Sequence, residues 1–212
     1  GILPLIQNSS QIFSNPEMTV EVKFIGVKFA EGSSSGPVVE GSITKKIKIL
    51  SDLQLATKTL YYAGPFTNIG PLPPIHDQET TYTIVWSIVN SSSDVSGAIV
   101  KATLPSYVKW LGNISPSTED LNYTPLGGQI VWKAGDIPAG SGIVDQAREV
   151  SFQVSFTPSV SQIAKKPNLL SEATITGEDT FTGKDTGGTK KASTIELTND
   201  PGVVFGQEGP VK

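Results

Sequence analysis

Apolar and polar residues alternate along most of the chain with a period of two, the pattern of strands that bury one face and wet the other. Residues 18–29 (MTVEVKFIGVKF) set Val20, Val22 and Phe24 on one face against Glu21 and Lys23, and Gly26 marks a bend before Val27 and Phe29 resume. Residues 43–50 continue with Ile47 and Ile49 inward. The phase is cleanest at 81–89, with Tyr82, Ile84, Trp86 and Ile88 on one face. It is as clean at 149–157, where Val150, Phe152, Val154 and Phe156 face in and Glu149, Ser151, Gln153 and Ser155 face out. Further strands are expected at 95–104, 107–111 and 129–133, around Ala173 and Ile175, and around Ile195 and Leu197. Helical spacing is absent except for one turn expected near 159–164. Residues 90–97 (NSSSDVSG) read as a tight corner that sets the register of the strands around it. Many short strands punctuated by Gly, Pro, Asn and Ser predict an all-β, antiparallel sandwich.

The chain also resembles itself. Ile2-Leu3-Pro4, the Val20/Val22/Phe24 strand, Lys45-Lys46 and Tyr61-Tyr62 form one series; Ile137-Pro138, the Phe152/Val154/Phe156 strand, Lys190-Lys191 and Val204-Phe205 form a second. This predicts one partial and one complete repeat in tandem, the partial sandwich at 1–63 and the complete one at 64–212. The Pro-rich stretch 64–74 (GPFTNIGPLPP) is then a stiff lead-in to the second unit.

TYTIVWSIVN, DVSGAIVKATLP, Val131-Trp132, Gly135, Ile137-Pro138, VSFQVSF and NLLSEATITGEDTFTG together resemble the bacterial surface repeat called the "domain of unknown function eleven", as found in predicted exported proteins of uncultivated bacteria. The likeness runs from about Tyr61 to the C-terminus and reaches the first sixty residues only through the internal repeat. It implies an immunoglobulin-like β-sandwich, placed in tandem within long extracellular proteins as spacer, stalk or adhesive scaffold. Its motifs are turn and core positions, and no catalytic residue carries over from them.

Composition narrows the function classes. Hydrophobic residues make up 37% of the 212 and charged residues 17%, with 21 Gly and 15 Pro supplying turns. A net charge of −4 leaves no electrostatic footprint for nucleic acid. Lys45, Lys46 and Lys48, the densest basic cluster, are expected on the wet face of a strand. The absence of Cys removes disulfides, thiolate metal sites and cysteine nucleophiles together. No apolar run is long enough to cross a membrane. No basic, apolar leader opens at Gly1, so a mature chain or a piece of a longer one is expected.

Candidate chemistry is sparse. His76, the single histidine, adjoins Asp77, but no nucleophile elbow accompanies them, and an exposed pair in a connecting stretch is the better reading. Glu119-Asp120 and Glu178-Asp179 could serve glycoside hydrolysis only within a cleft; among turn residues they read as solvated loop ends. Asp179 and Asp185 lack a calcium-loop pattern around them. Trp86, Trp110 and Trp132 fall in strands and are expected in the core, which leaves Tyr61, Tyr62 and Tyr123 as candidate ligand-binding rings. Sequons at Asn8, Asn90, Asn113 and Asn122 point to exposure. An intramolecular Lys–Asn isopeptide bond has no motif to support it.

The expectation is therefore a non-enzymatic, extracellular structural or spacer module. It would use no cofactor or metal, its partners would be neighbouring repeats, and it would not bind nucleic acid. The alternatives are an adhesive module for a surface glycan or protein, and a filament subunit adding a strand through GILPLIQ at residues 1–7.

Overall fold

The computed structural model describes residues 6–8, 11–12, 14–27, 38–197, 200–204 and 207–212. Ile2-Leu3-Pro4, Phe29, most of GILPLIQ and Phe205 lie outside them. In chain order the strands are β1 (Ile6–Asn8), β2 (Gln11–Ile12), β3 (Glu17–Val27), β4 (Val38–Lys48), β5 (Leu53–Leu60), β6 (Thr80–Asn90), β7 (Val95–Thr103) and β8 (Val108–Ser115). They continue as β9 (Asp120–Thr124), β10 (Gln129–Ile137), β11 (Arg148–Phe156), β12 (Asn168–Leu170), β13 (Ala173–Asp179), β14 (Lys184–Lys190) and β15 (Ser193–Thr194). The expected helical turn exists as a 3-10 turn at Val160–Gln162.

Two antiparallel sheets face each other. One runs β5-β6-β11-β8 and the other β14-β13-β7-β10-β9. The first carries the A-B-E-D order of an immunoglobulin sandwich, and β14-β13-β7 carries its G-F-C order. The two strands β10 and β9 extend the second sheet beyond its C position.

The periodicity of β6 and β11 is realised as expected. Tyr82, Ile84, Trp86 and Ile88 meet Val150, Phe152, Val154 and Phe156 in the core, all fully buried. Trp86 stacks on Trp132 from the opposite sheet at 6.4 Å between centroids and meets the Phe152 ring edge-on at 5.0 Å. Packing of this kind joins the two sheets into one core. Leu169, Leu170, Ile195, Leu197 and Val211 close it along the C-terminal segment.

Three expectations give way. Strand β5 pairs with β6 in unbroken register from Leu53↔Asn90 to Leu60↔Thr83, and Leu53 and Leu55 enter the core. The boundary drawn at 63/64 therefore cuts through a sheet, because the Leu53/Leu55 alternation belongs to the sandwich that follows it.

The Pro-rich stretch is not a lead-in either. It connects β5 to β6 and lies over the outer face of their sheet: Gln153 Nε2 donates to Thr67 O and Asn68 Oδ1, Asn68 Nδ2 donates to Thr83 Oγ1, the Ile69 N–H donates to the Thr81 hydroxyl, and the Thr81 N–H donates to Ile69 O. The bonds of this strap to Thr83 and Gln153 bury these two side chains although they point away from the core, and Ser151 and Ser155 on the same outer face are buried as well.

The third correction concerns the hairpin β3–β4. Met18, Val20, Val22 and Phe24 share a face with Ile43 and Ile47 through the register of the pair, but nothing among the described residues covers it and all six are exposed. Lys45 lies on this apolar face opposite Val20, while Lys46 and Lys48 lie on the other, so the basic cluster is split between the two.

Candidate functional site

The candidate chemistry is dispersed. His76 Nδ1 is 3.1 Å from Asp77 Oδ2 with both side chains exposed, and no serine hydroxyl reaches the imidazole among the described residues. Glu119, expected in solvent, has a nearly buried side chain: its carboxylate accepts Trp132 Nε1 at 2.8 Å and pairs with the Arg148 guanidinium at 3.0 Å. Position 119 directly precedes β9, and this turns it toward the indole edge.

The tyrosines divide. Tyr61 and Tyr62 touch edge-on at 4.9 Å, Tyr61 is half-buried and donates from its hydroxyl to Gly70 O at 2.6 Å, and Tyr62 is exposed. Tyr123 belongs to a different group, stacked at 5.5 Å on Trp110, which in turn packs on Phe152. Trp110 is half-buried, whereas Trp86 and Trp132 are fully buried. Burial also pushes the Tyr82 phenol far above its ordinary pKa, with Tyr61 adding to the shift.

The densest polar cluster lies at the NSSSDVSG corner, and it is buried. Asn90, Ser92 and Ser93 are within 1% of full burial. Ser51, between β4 and β5, is the hub. Its Oγ donates to Asn90 Oδ1 at 2.7 Å and accepts the N–H of Ser92 at 2.9 Å and of Ser93 at 3.2 Å. Its N–H donates to Asp179 Oδ2 at 2.6 Å, and its carbonyl accepts the Thr186 hydroxyl at 2.7 Å. Asn90 Nδ2 donates to the carbonyls of Ser93, Ile137 and Pro138. The Asn90 sequon therefore marks a fully engaged interior amide, not an exposed one.

Asp179 is correspondingly not a solvated loop end. It is fully buried, and its second oxygen accepts the N–H groups of Phe181 and Thr182 at 2.8 and 2.9 Å. With every oxygen committed to an N–H donor, the carboxylate does not face a cation site. The chemistry of this cluster is satisfaction of buried backbone groups, which costs about 1–3 kcal/mol for each group left unpaired.

The same node holds the base of the hairpin. Asn15 N donates to Ser92 O at 2.9 Å, and Lys48 Nζ donates to Phe181 O at 2.7 Å while lying 4.4 Å over the Phe181 ring. At the other end of β5 a second carboxylate repeats the device: Asp200 Oδ2 accepts the N–H of Tyr61 at 2.6 Å and of Tyr62 at 2.7 Å. Burial alone would raise its pKa, but the N–H groups of Gly202, Tyr61, Tyr62 and Ala63 outweigh it and hold the carboxyl below its ordinary value. Sequence reasoning missed Ser51 and Asp200, since neither sits in a motif.

No protein-family model and no curated protein matches the chain. Solved structures do. BcpA, the major pilin subunit of Bacillus cereus, is similar at 12% identity and TM-score 0.38 over 84% of this chain and 55% of its own. The full-length major pilin SpaD from Corynebacterium diphtheriae is similar at 13% identity and TM-score 0.38, over 66% of this chain and 34% of its own. The chain thus spans about half or less of these pilins. Its immunoglobulin-like character rests on its own strand order. Among the described residues no helix is long and apolar enough to cross a membrane.

Proposed function

We propose that this chain is a non-enzymatic structural module of an extracellular, repetitive cell-surface protein, a spacer that fixes the direction of one β-unit relative to the next. The observation that carries this reading is the Ser51 node. The buried polar side chains that could have formed a reactive site are used to lock the segment between the hairpin and the sandwich, with hydrogen bonds from both sheets converging on one residue. Glu119 and Asp200 are likewise spent on internal donors. The natural partner of such a module is another unit of the same kind.

Small-angle scattering of the chain tests the reading. The expected result is a single elongated profile, unchanged by salt and fitted by one conformer, with Ser51→Ala broadening it into an ensemble of hairpin orientations. A wild-type chain that already scatters as a freely hinged pair would overturn the spacer role.

A further inference from the structure

We infer that the apolar face of hairpin β3–β4 is the closing wall of a second immunoglobulin-like sandwich, contributed by a preceding stretch of the same polypeptide. This rests on the spacer reading above and says what the neighbouring unit is made of. Hairpin β3–β4 carries a run of six large apolar side chains on one uncovered face. Met18, Val20, Val22, Phe24, Ile43 and Ile47 line one face with Lys45 among them and are 38–65% exposed, whereas Glu21, Lys23 and Lys46 lie on the other, together with the exposed Ile25 and Val38 towards its far end. A two-stranded ribbon with a bare hydrophobic face is marginal in water and needs a sheet against it.

The molecule contains a worked example of what covers such a hairpin. Thr44-Lys45-Lys46 near the end of β4 is followed by Leu53-Gln54-Leu55, and Thr189-Lys190-Lys191 at the end of β14 is followed by Ile195-Glu196-Leu197. In both places the hairpin leads through a short turn into an apolar-polar-apolar triplet whose apolar members enter the core. In the second case β13 is paired along its other edge by β7, through Ile175↔Val100 and its neighbours, and Ala173 and Ile175 are buried against the facing sheet. Hairpin β3–β4 has the same place in the chain, which matches β3 to β13 and not to the Phe152/Val154/Phe156 strand of the sequence series, but, among the described residues, it has no strand beside β3 and no sheet across its face. The missing occupant is therefore a strand equivalent to β7 together with an apolar sheet face: a sandwich short of its last hairpin.

The size of the face argues for the same polypeptide as its source. Eleven residues by two strands present about 350 Å², or about 700 Å² counted on both partners, from strand rise and spacing. That falls short of the roughly 1,200 Å² of a stable association between separate molecules. A tethered sheet faces no such threshold, because its effective concentration is set by the connection.

The test is amide hydrogen exchange on the 212-residue chain and on the same chain extended by the roughly 100 residues that precede it in its reading frame, the size of one such sandwich. The expected result is exchange in β3 slowed at least about 100-fold by the extension. Val22→Lys and Phe24→Lys should abolish that protection and Thr19→Lys, on the charged face, should leave it. All three should keep the melting of the β5–β15 sandwich unchanged. The inference is overturned by a reading frame with no such extension, by β3 exchanging equally in both proteins, or by protection already present in the shorter chain, whether through self-association or through residues 1–13. Unprotected β3 in an extended protein that still scatters as a rigid rod would sink this inference and leave the spacer reading standing.

Discussion

Replacing Ser51 by Ala removes one oxygen and nothing else from the sandwich. That oxygen accepts two backbone N–H groups, from Ser92 and Ser93, and satisfies Asn90 Oδ1. Each is buried. At about 1–3 kcal/mol for a buried group left without its partner, and with some relaxation allowed, the loss should come to about 2–4 kcal/mol. In urea, with a slope of about 2 kcal/mol per molar for a domain of this size, the midpoint should fall by about 1–2 M. The structure supplies an internal control. Ser155 is as buried as Ser51, but its Oγ has no hydrogen-bond partner. Ser155→Ala deletes the same atom from an equally dry place and should be neutral or slightly stabilising. Equal midpoints for the two variants would refute the reasoning, because they would show that burial, not the bonds at the node, sets the cost.

Trp86→Ala opens a cavity between the sheets where Trp132 and Phe152 meet, and should cost about 3–5 kcal/mol, seen as a melting temperature lowered by at least about 8 °C. Asp200 has a folded pKa below its unfolded value, so its contribution to stability is complete above about pH 4 and is lost as pH falls through the folded pKa. Stability measured from pH 7 down to pH 2 should therefore fall less steeply in Asp200→Asn than in the wild type below that point, and parallel curves would exclude the clamp. Tyr123→Ala should lower stability through the lost stack on Trp110, and a glycan array should show no binding that depends on Tyr123; array binding lost in this variant would favour the adhesive alternative.

The sequence made legible what periodicity encodes. Tyr82 to Ile88 and Val150 to Phe156 alternate without interruption, and the inward sets are the core. Strand β14 was invisible for the opposite reason. Its sequence, KDTGGTK, holds no large apolar residue, and it pairs because Gly187 lets the backbone come so close to the Ile175 carbonyl that a Cβ would collide. The domain boundary at 63/64 failed because Pro and Gly between residues 64 and 74 mimic a linker, although their function is to lay a strap over β6 and β11. The corner at Asn90 was placed correctly as a turn between strands, but its burial depends on Ser51 and Asp179, which are 39 and 89 residues away in the chain. No local pattern announces such a partnership. The exposed face of β3 was misread for a related reason, since alternation shows that a face is apolar and not what covers it.

Strand β5 is gripped at both ends, by Asp179 on the Ser51 N–H and by Asp200 on the N–H groups of Tyr61 and Tyr62. Between these clamps it lies antiparallel to β6 over eight paired positions. Tension applied between the hairpin side and the C-terminal side would run along the axis of β5. It would meet the ladder in shear, so the bonds to β6 would have to break together and could not be peeled away one by one. Two aspartates, neither of them in a motif that announces this role, thereby set the direction in which the molecule is strong.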